Sequence, residues 1–138
     1  MPKRCGKQHI CDNMKIPRAI ICGMLEKDGK ILFLEKDGKI EMPWIYGTLA
    51  GDPISAIGEA FRKKTDVKVE VGVVVLEGKQ KIDNKELPVL VLRMEPKDYE
   101  YQVIPADEFT VVWLTLENAR KKELLEHALW LKNQFIEV

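Results

Sequence analysis

The sequence predicts an α+β fold in which a mixed β-sheet is sandwiched between α-helices. Three observations carry this expectation. Asp-Gly pairs stand between short apolar runs at Asp28-Gly29 and Asp37-Gly38, and such pairs mark tight hairpins because a type I′ turn needs positive φ at both central residues. Two stretches, 53–65 and 117–137, repeat apolar residues at helical spacing. The run 67–76 alternates weakly and then becomes all apolar, as a long central strand does, and 87–94 reads as its partner strand.

The chain has 138 residues, a length that suits one domain. Residues 1–17 show no period and are read as a basic arm ahead of a domain spanning 18–138. Through Arg18, the arm sets Lys3, Arg4, Lys7, Lys15 and Arg18 against Asp12 alone. A buried strand is expected at 19–25. The string EKDGKI occurs at 26–31 and again at 35–40, which predicts two successive tight turns in a three-strand meander. A loop at 42–52 follows. Asp52 then offers an N-cap and Pro53 a first-turn proline, and Ile54, Ile57 and Phe61 give the helix an apolar face. The strands 67–76 and 87–94 should pair antiparallel through Asp83-Asn84-Lys85, with Pro88 near a strand start. A further strand is expected at 109–114. The last helix, 117–137, would carry Leu124, Ala128, Leu131 and Phe135 as its stripe and would cover the face opposite to the first helix.

Hydrophobic residues make up 46%, enough for a core. Lys plus Arg and Asp plus Glu number 22 each, so global charge points to no nucleic-acid or membrane partner, and only the basic arm offers nucleic acid a contact. No apolar run approaches the ~20 residues of a membrane helix. The basic start lacks the apolar core of a secretory signal. Three cysteines form no even framework, which fits a reduced, cytoplasmic setting.

The element order resembles a Nudix domain, and several strings support the likeness. The hairpin 19–34 leads through Pro43-Trp44-Ile45-Tyr46-Gly47 into the helix. Downstream, Asp107-Glu108-Phe109 and Val112-Trp113-Leu114-Thr115-Leu116-Glu117 are similar to the family's late strand and the turn that follows it. The resemblance covers about residues 18–137. The family signature is G-x5-E-x7-R-E-U-x-E-E-x-G-U, with U aliphatic. Anchored on Pro53, Ala56, Phe61, Thr65 and Val67, its first Gly falls on Ile45 and its first Glu on Gly51. Its Arg falls on Glu59, the next Glu on Ala60, the Glu pair on Lys63 and Lys64, and the last Gly on Asp66. The apolar positions are kept and the chemical ones are not.

The resemblance implies magnesium-dependent cleavage of a phosphoanhydride, with carboxylates as the hard oxygen ligands. Positions 60, 63 and 64 share one helix face, and here they are Ala60, Lys63 and Lys64. Unit charges ~4 Å apart interact by about 4 kcal/mol at an effective dielectric of ~20, and a dication beside two ammonium groups is repelled by more. No metal or other cofactor is therefore expected at that face, whereas a phosphate is compatible with it, since lysine is a good point-charge partner for phosphate.

The leading expectation is a Nudix-fold protein that has lost magnesium-dependent hydrolysis and binds a phosphorylated small molecule or nucleotide. Lys63, Lys64 and Arg62 would take the phosphate, with Lys68 close by, and Trp44 or Tyr46 would stack on a base. The alternative is a hydrolase of nucleoside-diphosphate-linked substrates that holds magnesium through non-standard ligands. It would use Glu59 and Glu108 as catalytic groups, with Asp52 and Asp66 able to join them. The resemblance implies that an acidic residue near Glu108 can act as base. A third reading is a nucleic-acid-associated or assembly protein using the arm. Cys5, His9 and Cys11, with Cys22 as a fourth group, have zinc-ligand chemistry but not a standard spacing. His127 is read as structural.

Overall fold

The structure, a computed structural model, describes residues 15–138. The basic arm up to residue 14 lies outside the described residues, and with it Cys5, His9 and Cys11.

The strands form two five-stranded sheets. In the first, β1 (Ala19–Met24) pairs in parallel with β7 (Lys85–Pro96) and antiparallel with β5 (Trp44–Gly47). Strand β6 (Val69–Ile82) is antiparallel to β7, and β10 (Ile136–Glu137) adds to its outer edge. In the second, β3 (Lys30–Lys36) pairs with β2 (Glu26–Lys27), β4 (Lys39–Glu41) and β8 (Thr110–Leu114), and β9 (Glu123–Leu124) lies parallel to β4.

Both copies of EKDGKI make the expected turns, with φ of 54° and 79° at Asp28 and Gly29 and 53° and 78° at Asp37 and Gly38. The meander they build is β2–β3–β4, and β1 lies outside it, since its pairing edges are taken by β5 and β7. Asp83 and Asn84 turn β6 into β7, both at positive φ. Pro88 lies three residues inside β7, just before the stretch where β1 joins at Ile20↔Val89.

Alternation along β1 divides the core. Ile20, Cys22 and Met24 meet Phe33, Ile40, Val91 and the C-terminal Trp130 and Leu131. Ile21 and Leu25 meet Leu32, Leu92, Met94 and the helix residues Ile57 and Phe61. Helix α1 (Pro53–Thr65) therefore packs on one side of the first sheet and the C-terminal segment on the other, while β3 of the second sheet contributes to both clusters through Leu32 and Phe33. Gly23 sets how closely α1 approaches. A Cβ there would stand 2.8 Å from Phe61 Cδ2, nearer than real Cβ atoms come.

The expected terminal helix does not form as one piece. Helix α2 (Leu116–Arg120) stops early, β9 follows, then a 3-10 helix (Glu126–Lys132), then β10. Leu124, Ala128 and Leu131 are buried as the stripe requires, but so is Trp130. At ~100° per residue an α-helix would turn Trp130 about 200° away from Ala128, toward solvent. Breaking the segment buries all four side chains, and the face expected for it is the face it covers.

Candidate functional site

Local sequence explains how α1 is held. Asp52 caps its start, its carboxylate accepting from Ile54 N and Ser55 Oγ, both at 3.0 Å. At the other end Asp66 takes the left-handed conformation, φ 59°, and its N–H donates to Arg62 O at 2.7 Å. A left-handed residue that closes a helix through such a bond is a common C-cap. The last-turn carbonyls are met by the 101–109 loop: Ile104 N donates to Thr65 O at 2.8 Å and Ala106 N to Lys64 O at 3.0 Å. That loop carries Phe109 to the side of Lys64.

Lys64 Nζ stands 3.5 Å from Glu41 Oε2, 5.9 Å from the Trp44 ring centre and 5.5 Å from that of Phe109. Glu41, at the end of β4, is buried, and its other oxygen accepts from Trp44 Nε1 at 3.2 Å. Trp44 stacks on His127, with centres 3.6 Å apart and planes 10° from parallel. The Tyr46 hydroxyl lies 2.6 Å from His127 Nε2. Burial pushes His127 below the ordinary histidine range, opposed by Glu126 and Glu41 and aided by Lys64. Burial raises the Tyr46 phenol, with Glu126 and Asp83 adding to it.

Lys64, Trp44 and Tyr46, three residues singled out in the sequence, thus meet in one cluster with Glu41, His127 and Phe109. One face of Trp44 is already taken by His127, so Trp44 is a strut as much as a platform. The other candidates lie apart. Lys63 is exposed on the same helix face. Arg62 binds Glu59 through Nε and Nη2, at 3.3 and 2.5 Å. This pair holds the Glu59 carboxyl below its usual range and the Arg62 guanidinium above it. Glu108 faces Lys36 at 3.7 Å. Among the described residues no group of three or more His, Cys, Asp or Glu stands close enough to hold a metal ion, so Asp52, Glu59, Asp66 and Glu108 are not gathered into a metal site. On α1, Ala60, Lys63 and Lys64 offer a methyl group and two ammonium groups, which do not fit magnesium. Cys22 is buried in the core, and burial raises its thiol pKa far above the ordinary value, so it does not suit a zinc thiolate. Clefts of about 570, 560 and 530 Å³ lie elsewhere, around Glu77 and Ile136, around Arg120 and Phe135, and around Glu26 and Tyr101. No described helix is long and apolar enough to cross a membrane.

Glu41 and His127 were missed as site residues. His127 meets Tyr46 across 81 positions, and Glu41 bonds Trp44 three positions on but reaches Lys64 only through the fold, so no local pattern announces either.

No family profile matches the chain, and no curated protein matches it in sequence. Solved structures do. The Escherichia coli ORF135 protein superposes with a TM-score of 0.65 at 17% identity over 83% of this chain and 85% of its own. A UDP-X diphosphatase gives 0.66 at 14% identity over 91% of this chain and 66% of its own. A Nudix hydrolase from Nitrosomonas europaea gives 0.59 at 13% identity, over 77% of each chain. Sequence identities this low carry the architecture and nothing finer, and that architecture, two curled mixed sheets with α1 on one face, is the Nudix fold.

Proposed function

We propose that this Nudix-fold chain has lost magnesium-dependent hydrolysis and binds a phosphorylated small molecule, in first place a nucleotide, without a divalent ion. The observation that carries the reading is the position of Lys64. Its ammonium stands among the Glu41 carboxylate, with which it pairs at 3.5 Å, and the rings of Trp44 and Phe109, on the helix face where the Nudix pattern has metal-binding carboxylates. Lys63 stands exposed next to it and adds a second positive charge. Two fold neighbours, the UDP-X diphosphatase and an ADP-ribose pyrophosphatase from Streptococcus suis, are named for nucleoside-diphosphate compounds, which favours that ligand class. The hydrolase reading through Glu59 and Glu108 has weaker support, since those carboxylates face Arg62 and Lys36.

Titration calorimetry with ADP, with and without chelator, tests the proposal. Binding should survive the chelator and weaken as salt rises, because exposed charges are screened beyond a Debye length of ~8 Å at physiological ionic strength. The double substitution Lys63→Ala with Lys64→Ala should weaken binding about tenfold or more, as charged hydrogen bonds are worth roughly 1.5–3 kcal/mol each. No heat at millimolar ADP, or a double variant that binds like the wild type, would overturn the reading.

A further inference from the structure

Arg62, Lys63, Lys64 and Lys68 lie within seven positions of one another, but the structure divides them. Lys64 turns to the β4–β5 edge, while Arg62 and Lys68 line a separate cleft of about 420 Å³ between α1 and the β6–β7 pair. A third cation joins them there from a distant part of the chain. Lys97 follows β7, and its N–H donates to Lys68 O at 2.9 Å, so the backbone fixes the two lysines side by side. Among the described residues neither lysine takes part in an ion pair. Glu59 is the one carboxylate lining the cleft, and it occupies Nε and Nη2 of Arg62, leaving Nη1 to turn elsewhere. Asp66 lies close enough to Arg62 to favour its charged form, and Asp98 lines the neighbouring cleft that Lys68 also borders. The remaining walls are apolar: Ile54, which is 45% exposed, with Val69 and Val71. Gly58 lies at the floor, where an added Cβ would press on Val71 Cγ2 at 3.2 Å.

Three cations against one lining carboxylate leave a surplus of two positive charges beside an apolar wall. Like charges held together repel, and an anion between them offsets that repulsion. We infer that this cleft is a second anion site, distinct from the Lys64 cluster, for an organic phosphate. Its phosphoryl oxygens meet Lys68, Lys97 and Arg62, and its apolar part lies on Ile54, Val69 and Val71. Arg62 contributes its charge and the Nη1 group, since Glu59 holds Nε and Nη2.

The test titrates phenyl phosphate into the ¹⁵N-labelled full chain in the presence of a chelator and follows the backbone amides. Shifts should gather at Gly58, Lys68, Val69 and Lys97. The double substitution Lys68→Ala with Lys97→Ala should weaken binding about tenfold or more, read from the shifts at Gly58 and Val69. Both lysines are exposed, so the variant should keep its fold, which the dispersion of its amide spectrum checks directly. Absence of shifts at millimolar ligand, or wild-type affinity in the double variant, overturns the site. Shifts collected instead at Trp44 and Phe109 would also overturn it, while supporting the Lys64 reading. Inorganic phosphate should bind the same residues more weakly, and equal affinity would remove the apolar wall from the site.

Discussion

His127 lies between an indole face and a phenol, and its charge follows from that position. The neutral ring accepts from the Tyr46 hydroxyl at Nε2 in the tautomer that fits this contact. Burial lowers its pKa from the ordinary 6.5. Below about 6.5 the unfolded imidazole therefore takes up a proton while the folded one resists. The unfolded chain then binds more protons, so stability should fall as pH drops from neutral toward about 5.5, above the range where ordinary carboxylates titrate. Urea midpoints measured across that window should show the slope in the wild type and a flatter one in His127→Gln. An unchanged slope in the variant would assign the effect to another group. Legibility at this scale was uneven. Trp44, Tyr46 and Lys64 stood out because aromatics and cations near a glycine-bearing loop and a helix end are conspicuous. Glu41 closes an ordinary hairpin strand, and only the fold reveals that its carboxylate is buried between Trp44 and Lys64.

Elements were legible where their ends are marked. Helix α1 has Asp52 and Pro53 at its start and three cations in its last turn, and it runs as expected, Pro53–Thr65. The C-terminal stretch has a helical stripe but no comparable stops, and the stripe was satisfied by short pieces. What holds those pieces lies on β6. Gln80 is buried, and its amide donates to Glu126 O and accepts from Trp130 N, the latter at 2.9 Å. One side chain thus anchors both ends of the turn that carries His127. A glutamine inside a strand looks like a solvent-facing residue, so this anchor left no trace in the pattern. Gln80→Leu should remove both bonds and leave the part-buried Glu126 carbonyl and the buried Trp130 N–H without their partner, costing about 2–3 kcal/mol. Urea unfolding would show the loss, and hydrogen exchange at the Trp130 amide should quicken. A change below about 0.5 kcal/mol, the spread of ordinary surface substitutions, would mean that the turn is held by its apolar packing alone.

At the scale of the whole molecule, the chain has the Nudix scaffold, and under the proposed function its chemistry differs on that scaffold. Phe61 and Val67, on which the signature aligns, are buried, and Asp66 has a left-handed backbone. Positions 60, 63 and 64 nevertheless present a methyl group and two ammonium groups. If the scaffold is in register and only the ligands have changed, restoring the ligands should restore a metal site. Ala60→Glu, Lys63→Glu and Lys64→Glu together would place three carboxylates on one helix face, with the buried Glu41 beside them and released from its lysine. Hard divalent ions favour such an oxygen-rich set. Manganese binding, read by calorimetry or electron paramagnetic resonance, should be absent in the wild type and clear in the triple variant. Ion binding only to the folded form should also raise the variant's thermal midpoint when manganese is added and lower it again with chelator. A folded triple variant that ignores manganese would mean that the helix face does not converge on one point, and that the likeness to Nudix hydrolases stops at the backbone. Manganese binding by the wild type would instead show that carboxylates outside that face assemble around an ion, which would revive the hydrolase reading and overturn the metal-free one.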